Sequence, residues 1–217
     1  MGFELTSRDY AEYIKRACER IRENRDYITE LDLATGDGDH WANMNMGFEK
    51  LAESGEMLSG LPVEEELREI GKIMMSVIGG SSGVLYGSAY LAAARAVKGR
   101  EVLDCQGVCD VLEAMLEAVM SRGQAREGWK TMIDSLAPAV KAYREAIAGG
   151  KEESEICDIV IQAAINGAES TRDMEAVRGR ATYQANKGVG HLDPGAVTMS
   201  YQISTLMKYI KEKINTI

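Results

Sequence analysis

Aromatic residues make up only 6% of this 217-residue chain, while alanine, methionine, glutamate and isoleucine are plentiful. That bias works against a strand-rich sandwich and favours helices. No apolar run reaches the roughly 18 residues that would span a membrane, and the N-terminal residues do not read as a signal peptide. The expectation is a soluble, cytoplasmic protein with no membrane partner. Positive charge is also short: 25 Lys and Arg against 34 Asp and Glu leave a net charge of −9. No local basic stripe offsets it, so a polyanion is repelled and nucleic acid is not an expected partner. The four cysteines, Cys18, Cys105, Cys109 and Cys157, form no CxxC pair. Three read as buried helix-face residues, where a thiol acts as a small hydrophobe. No linker, repeat or low-complexity tract divides the sequence, so residues 1–217 read as one domain.

Helical periodicity supplies what the strands do not. Tyr10, Tyr13, Ile14, Ala17 and Ile21 follow i, i+3, i+4 spacing after Thr6 or Ser7 as N-cap candidates. Comparable stripes are Ile70, Ile73, Met74 and Val77; Val108, Val111, Leu112, Met115 and Val119; and Leu136, Val140, Tyr143 and Ile147. Ile156, Ile159, Val160 and Ala163 make another, and Ile203, Leu206, Met207, Ile210 and Ile214 the last. The pattern predicts an all-α fold of about eight helices. Alternate connections of an antiparallel bundle emerge at one end, so loops distant in sequence can share a site.

Three segments break the helical texture: Asp32 to Asn45, Gly79 to Ser88, and Gly179 to Thr198, with Ser121 to Asp134 a weaker fourth. The first holds Asp32, Asp37 and Asp39 within eight residues, separated by Gly36 and Gly38. Three carboxylates gathered there would repel one another unless a cation compensated them. Oxygen donors without a cysteine pair suit Mg²⁺ or Ca²⁺ rather than zinc, and the spacing is not that of an EF-hand. Mg²⁺ is commonly completed by substrate phosphates, which points to a nucleotide. The alternative is structural, with Asp37 and Asp39 as turn residues and Asp32 as a helix cap. The second segment, Gly79-Gly80-Ser81-Ser82-Gly83, leads towards an expected helix from Ala89 to Val97. It is a phosphate-cradling junction or a close helix crossing, and it lacks the Walker A pattern. In the third, Asp193-Pro194 reads as N-cap and N1 of the last helix. Arg180 is a candidate phosphate clamp. His40 and His191, the only two histidines, both lie in these loops.

Taken together, Asp32-x4-Gly36-Asp37-Gly38-Asp39-His40-x2-Asn43-Met44, Gly79-Gly80-Ser81-Ser82-Gly83-x-Leu85-Tyr86-Gly87, Gly179-Arg180-Ala181-x-Tyr183 and Gly190-His191-x-Asp193-Pro194-Gly195-Ala196 resemble the L domain of dihydroxyacetone kinases. The match runs in order over nearly the whole chain. The resemblance implies a closed barrel of eight antiparallel helices with ADP or ATP bound in the loops at one end. It implies that Asp32, Asp37 and Asp39 hold two Mg²⁺ ions, with Arg180 serving transfer. His40, Asn43, Gly80, Ser81, Ser82, Gly83, Thr131, Met132, Asp193, Pro194 and Gly195 are then nucleotide contacts. It further implies two partners: a K subunit holding dihydroxyacetone and a phosphohistidine donor protein of the sugar phosphotransferase system. The sequence departs from the family at Trp41, at Trp129 within Gly128 to Asp134, and at Asn186-Lys187-Gly188. These positions are expected near the mouth of the site, with Trp41 bearing on access to the metal.

The first reading is therefore a phosphotransferase-system-dependent kinase subunit that keeps ADP as a coenzyme. The alternatives are an L subunit of an ATP-dependent kinase for a related keto-sugar, and a non-enzymatic nucleotide-sensing module.

Overall fold

The computed structural model describes residues 2–216. Within them the chain forms α1 (Ser7–Glu23), α2 (Arg25–Thr35), α3 (His40–Glu53), α4 (Gly55–Ser59), α5 (Val63–Val77), α6 (Gly80–Ala96), α7 (Cys105–Gly123), α8 (Ile133–Ala148), α9 (Glu153–Ser170) and α10 (Pro194–Ile214). Short 3₁₀ turns occupy Thr171–Asp173 and Arg180–Tyr183. The only β-type pairing among the described residues is a single antiparallel bridge between Leu5 and Leu103. The all-α expectation is borne out. The helices outnumber eight because Asn24 separates α1 from α2 and because α4 is a five-residue turn.

Local chemistry sets several boundaries. Thr6 caps α1 in a capping box: its hydroxyl accepts from Asp9 N at 3.3 Å, and its own N–H donates to Asp9 Oδ2 at 2.8 Å. Asp104 caps α7 by accepting from Gly107 N, and Asp193 caps α10 by accepting from Ala196 N, both at 2.7 Å. Pro194 follows at N1, where its missing N–H costs nothing.

Eight helices close a ring. α1, α3, α5, α6, α7, α8, α9 and α10 each pack against the next, and α10 returns to α1, while α2 lies against α3 and α10. Neighbours alternate in direction. At one end stand the N-termini of α3, α6, α8 and α10 and the C-termini of α1, α5, α7 and α9. The Gly79 to Ser88 segment is helix from Gly80 onward, not a loop leading to Ala89. Gly87 serves the crossing with α5: a Cβ on it would sit 2.9 Å from Gly71 O, and one on Gly71 would sit 3.0 Å from Gly87 O. Side chains at either position would force the two helices apart.

Polar groups occupy part of the ring's interior. Tyr10, Tyr13, Tyr86 and Tyr90 are buried, and so are Gln202, Thr198 and Glu66. Neither carboxyl oxygen of Glu66, nor the Tyr90 hydroxyl, reaches a hydrogen-bond partner among the described residues. Burial pushes the Glu66 pKa up to about 9, so this side chain is a neutral acid in the fold.

Candidate functional site

A cavity of about 700 Å³ opens at the end where the four helix N-termini meet. Asp32 reaches it from the last turn of α2, and Asp37 and Asp39 from the α2–α3 connection. One oxygen from each carboxylate lies within 4.8 Å of the other two, close enough for all three to hold a metal ion. Asp32 is buried, while Asp37 and Asp39 are exposed. Asp32 Oδ2 also accepts the backbone N–H of His40 at 2.9 Å, which ties the carboxylate to the start of α3. Two glycines make this geometry possible. A Cβ on Gly36 would lie 2.4 Å from Asp32 Oδ1, and Gly38 has φ +80°, a conformation that side chains resist.

His40 and Asn43 line the cavity from α3, and Gly80, Ser81 and Ser82 from α6. Thr131 and Met132 lead into α8, and Asp193, Pro194 and Gly195 open α10. Each N-terminus brings backbone N–H groups without helical partners, together with the positive end of a helix dipole. Four of them around three carboxylates make an arrangement suited to a cation on one side and an anion on the other. Gly83 stands apart from the other expected contacts: it is buried behind the wall, where a Cβ would come within 2.1 Å of Ile78 O. Its lack of a side chain serves packing at the α5–α6 corner, and Gly83 does not line the cavity. Arg180 reaches across the mouth and pairs with Asp37 Oδ2 at 2.7 Å.

Several lining residues lay outside the set expected from sequence, among them Thr35, Tyr86, Arg122, Gly123, Lys130 and Arg178. Lys130 is the most consequential. Its side chain is buried, with φ +59°, and Nζ donates to Thr171 O at 2.5 Å and to His191 O. One ammonium thus joins the α7–α8 loop, the end of α9 and the segment before α10. Burial pushes its pKa down, and Asp193 nearby partly restores the charge. Asp134 holds the same loop by accepting from Gly128 N at 2.5 Å and Thr131 N at 2.7 Å. A Lys among the weaker Gly128 to Asp134 features was the available signal; its burial was not readable.

Burial also moves other groups here. Asp193 is pushed up to about 7, opposed by the Ala196 N–H and by Lys130. His40 is lowered by burial, against the pull of Asp32 and Asp39. His191 contributes only its backbone carbonyl, and its exposed ring does not line the cavity. Trp41 does not control access to the carboxylates: its indole N–H donates to Ile21 O at 3.0 Å and Arg25 covers its ring, so it packs against α1. Trp129 is flanked by Arg126 and Arg178 and borders a neighbouring hollow. Asn186, Lys187 and Gly188 also lie outside the lining, although a Cβ on Gly188 would press on Lys130 Cε at 2.9 Å.

The family model of the DAK2 domain matches residues 34–208 of this sequence. The chain belongs to the DAK2 domain family. It is 35% identical over 190 residues to the ADP-binding subunit DhaL of PEP-dependent dihydroxyacetone kinase 1 from Listeria innocua, covering 88% of this chain and 90% of that protein. Identity to the corresponding DhaL subunit of Escherichia coli is 31% over 212 residues, covering 96% and 99%. In three dimensions the chain is similar to the dihydroxyacetone kinase from C. freundii in complex with AMP-PNP and Mg²⁺, with a TM-score of 0.70 and 25% identity. That match covers 93% of this chain and 33% of the longer kinase chain, so this chain spans about a third of it. Among the described residues, no helix is long and apolar enough to cross a membrane.

Proposed function

We propose that this chain is the ADP-binding subunit of a cytoplasmic dihydroxyacetone kinase. It carries a phosphoryl group from a phosphohistidine donor protein, through bound ADP, to dihydroxyacetone held on a partner K subunit. The observation that carries this reading is the gathering of Asp32, Asp37 and Asp39 oxygens within 4.8 Å at the meeting point of four helix N-termini. Carboxylates so placed suit Mg²⁺, whose hard coordination shell favours oxygen and is completed by phosphates. Two such ions, held by Asp32, Asp37 and Asp39, would supply charge neutralisation for phosphate oxygens. The relatives described as ADP-binding subunits span nearly their full length with this chain, which supports the same assignment here.

The chain's own groups fit the demands of phosphoryl transfer, which are mainly positioning and charge neutralisation. Backbone N–H groups at Ser81, Ser82 and Gly195 offer fixed donors to phosphate. Asp37 now carries the Arg180 guanidinium at 2.7 Å. Were Asp37 to hold a cation instead, that guanidinium would be free to meet phosphate oxygens, which its planar fork suits. His40, Asn43, Thr131, Met132, Asp193 and Pro194 shape the remainder of the nucleotide pocket.

The test is mass analysis of nucleotide released from freshly purified, desalted protein kept in magnesium. Stoichiometric ADP is expected, because a coenzyme recharged in place need not leave. An empty protein that binds ATP reversibly would replace this reading with an ATP-dependent kinase subunit. No binding of either nucleotide would refute the site assignment.

A further inference from the structure

We propose that the Thr198 hydroxyl is a positioning group that fixes His40 as its Nε2–H tautomer and so decides what the ring can bind in the cavity. The inference rests on the nucleotide-site reading and deepens it. His40 Nε2 lies 2.9 Å from Thr198 Oγ1. The same oxygen lies 3.1 Å from Pro194 O and 3.2 Å from Gly195 O, its neighbours one turn back on α10. A hydroxyl has one proton and two lone pairs. In both of these contacts the hydroxyl is the donor, and a proton spent on the helix leaves a Thr198 lone pair facing the imidazole. The proton in the Nε2–Oγ1 contact therefore comes from His40.

Thr198 is well held for this task. Its side chain is fully buried, and its helix is fixed at the start by the Asp193 cap. Gln202 Nε2 donates to Thr198 O at 3.1 Å and to the Tyr86 hydroxyl at 2.7 Å, which anchors the same turn to α6. With its ring proton committed to Thr198, neutral His40 has only the Nδ1 lone pair for the ligand. It then accepts from a donor, a water or a nucleotide hydroxyl, and repels phosphate oxygen. Phosphate contact is left to the backbone N–H groups and Arg180.

The decisive measurement is the ¹⁵N long-range spectrum of the ring nitrogens in nucleotide-free protein at about pH 8, where an ordinary histidine is neutral. Only His40 and His191 contribute, and a His191→Asn variant assigns them. The expected result is an Nε2-protonated His40 in the wild type, a tautomer mixture in Thr198→Val, and the wild-type pattern in Thr198→Ser. ADP affinity in magnesium should fall about fivefold in Thr198→Val and recover in Thr198→Ser. An Nδ1-protonated His40 in the wild type overturns the proposal, as does an unchanged tautomer in Thr198→Val. A tautomer shift that leaves ADP affinity intact overturns the positioning role. If Thr198→Val fails to fold, the wild-type and Thr198→Ser spectra still decide the tautomer. A wild-type protein that binds no ADP refutes the proposed function instead, because the spectrum is recorded without nucleotide.

Discussion

Glu66 offers the sharpest test of the fold's energetics. It lies on the first turn of α5 with no solvent exposure, and its carboxyl has no hydrogen-bond partner among the described residues. Its pKa rises from 4.5 to about 9 because burial disfavours the charged form. The native protein therefore holds a proton that the unfolded chain releases once pH exceeds 4.5. Stability from this group is fully present below 4.5, declines by about 1.4 kcal/mol per pH unit above it, and levels off near 9. Between pH 5 and pH 8 the loss comes to about 4 kcal/mol, a large share of the ~5–15 kcal/mol typical of a domain. Glu66→Gln keeps the shape and the neutral polar head but removes the titration. Urea unfolding at both pH values should show the wild type losing several kcal/mol more than the variant. The two should be close at pH 5, and Glu66→Gln the more stable at pH 8. Parallel losses in both proteins would refute the claim that Glu66 is buried and protonated.

Three further substitutions probe the site. Gly36→Ala places a Cβ 2.4 Å from Asp32 Oδ1, so it should weaken magnesium-dependent ADP binding at least tenfold by calorimetry while circular dichroism stays helical. Lys130→Met strips the donor from the Thr171 and His191 carbonyls; it should cost about 3 kcal/mol in urea unfolding, and a change below about 0.5 would refute the loop-joining role. Arg180→Ala breaks only an exposed pair with Asp37, so stability should move by less than about 0.5 kcal/mol. Transfer to dihydroxyacetone with a K subunit present should fall by more than about 100-fold, and a wild-type rate would remove Arg180 from the chemistry.

Much of the fold is written in local chemistry. The α1, α7 and α10 starts follow from Thr6, Asp104 and Asp193, whose side chains bond N–H groups three residues ahead. The helical stripes bury as their spacing requires: Val108, Val111, Leu112, Met115 and Val119 all face the core. The Asp32, Asp37 and Asp39 grouping was legible because these residues lie within eight positions and their glycines permit a tight return. Such features depend on neighbours in sequence, and a sequence reports neighbours faithfully.

What the sequence could not supply depends on which remote groups meet. Spacing puts Glu66 on the same helix face as Ile70 and Met74, yet a glutamate beside Glu64 and Glu65 reads as solvated. Gly83 reads as a phosphate-loop residue, but the approach of Ile78 O makes it a packing residue. Lys130 becomes a buried clamp only because Thr171 and His191, 41 and 61 residues away, bring their carbonyls to it. Trp41 turns away from the carboxylates because α1 offers a carbonyl for its indole. The sequence alone determined the helices, their caps and the acidic cluster, since each follows from short-range backbone bonding and periodicity. Ring closure decided the rest: it brought four N-termini to one end, and burial there set which charges survive, which protons stay and which tautomer His40 can adopt.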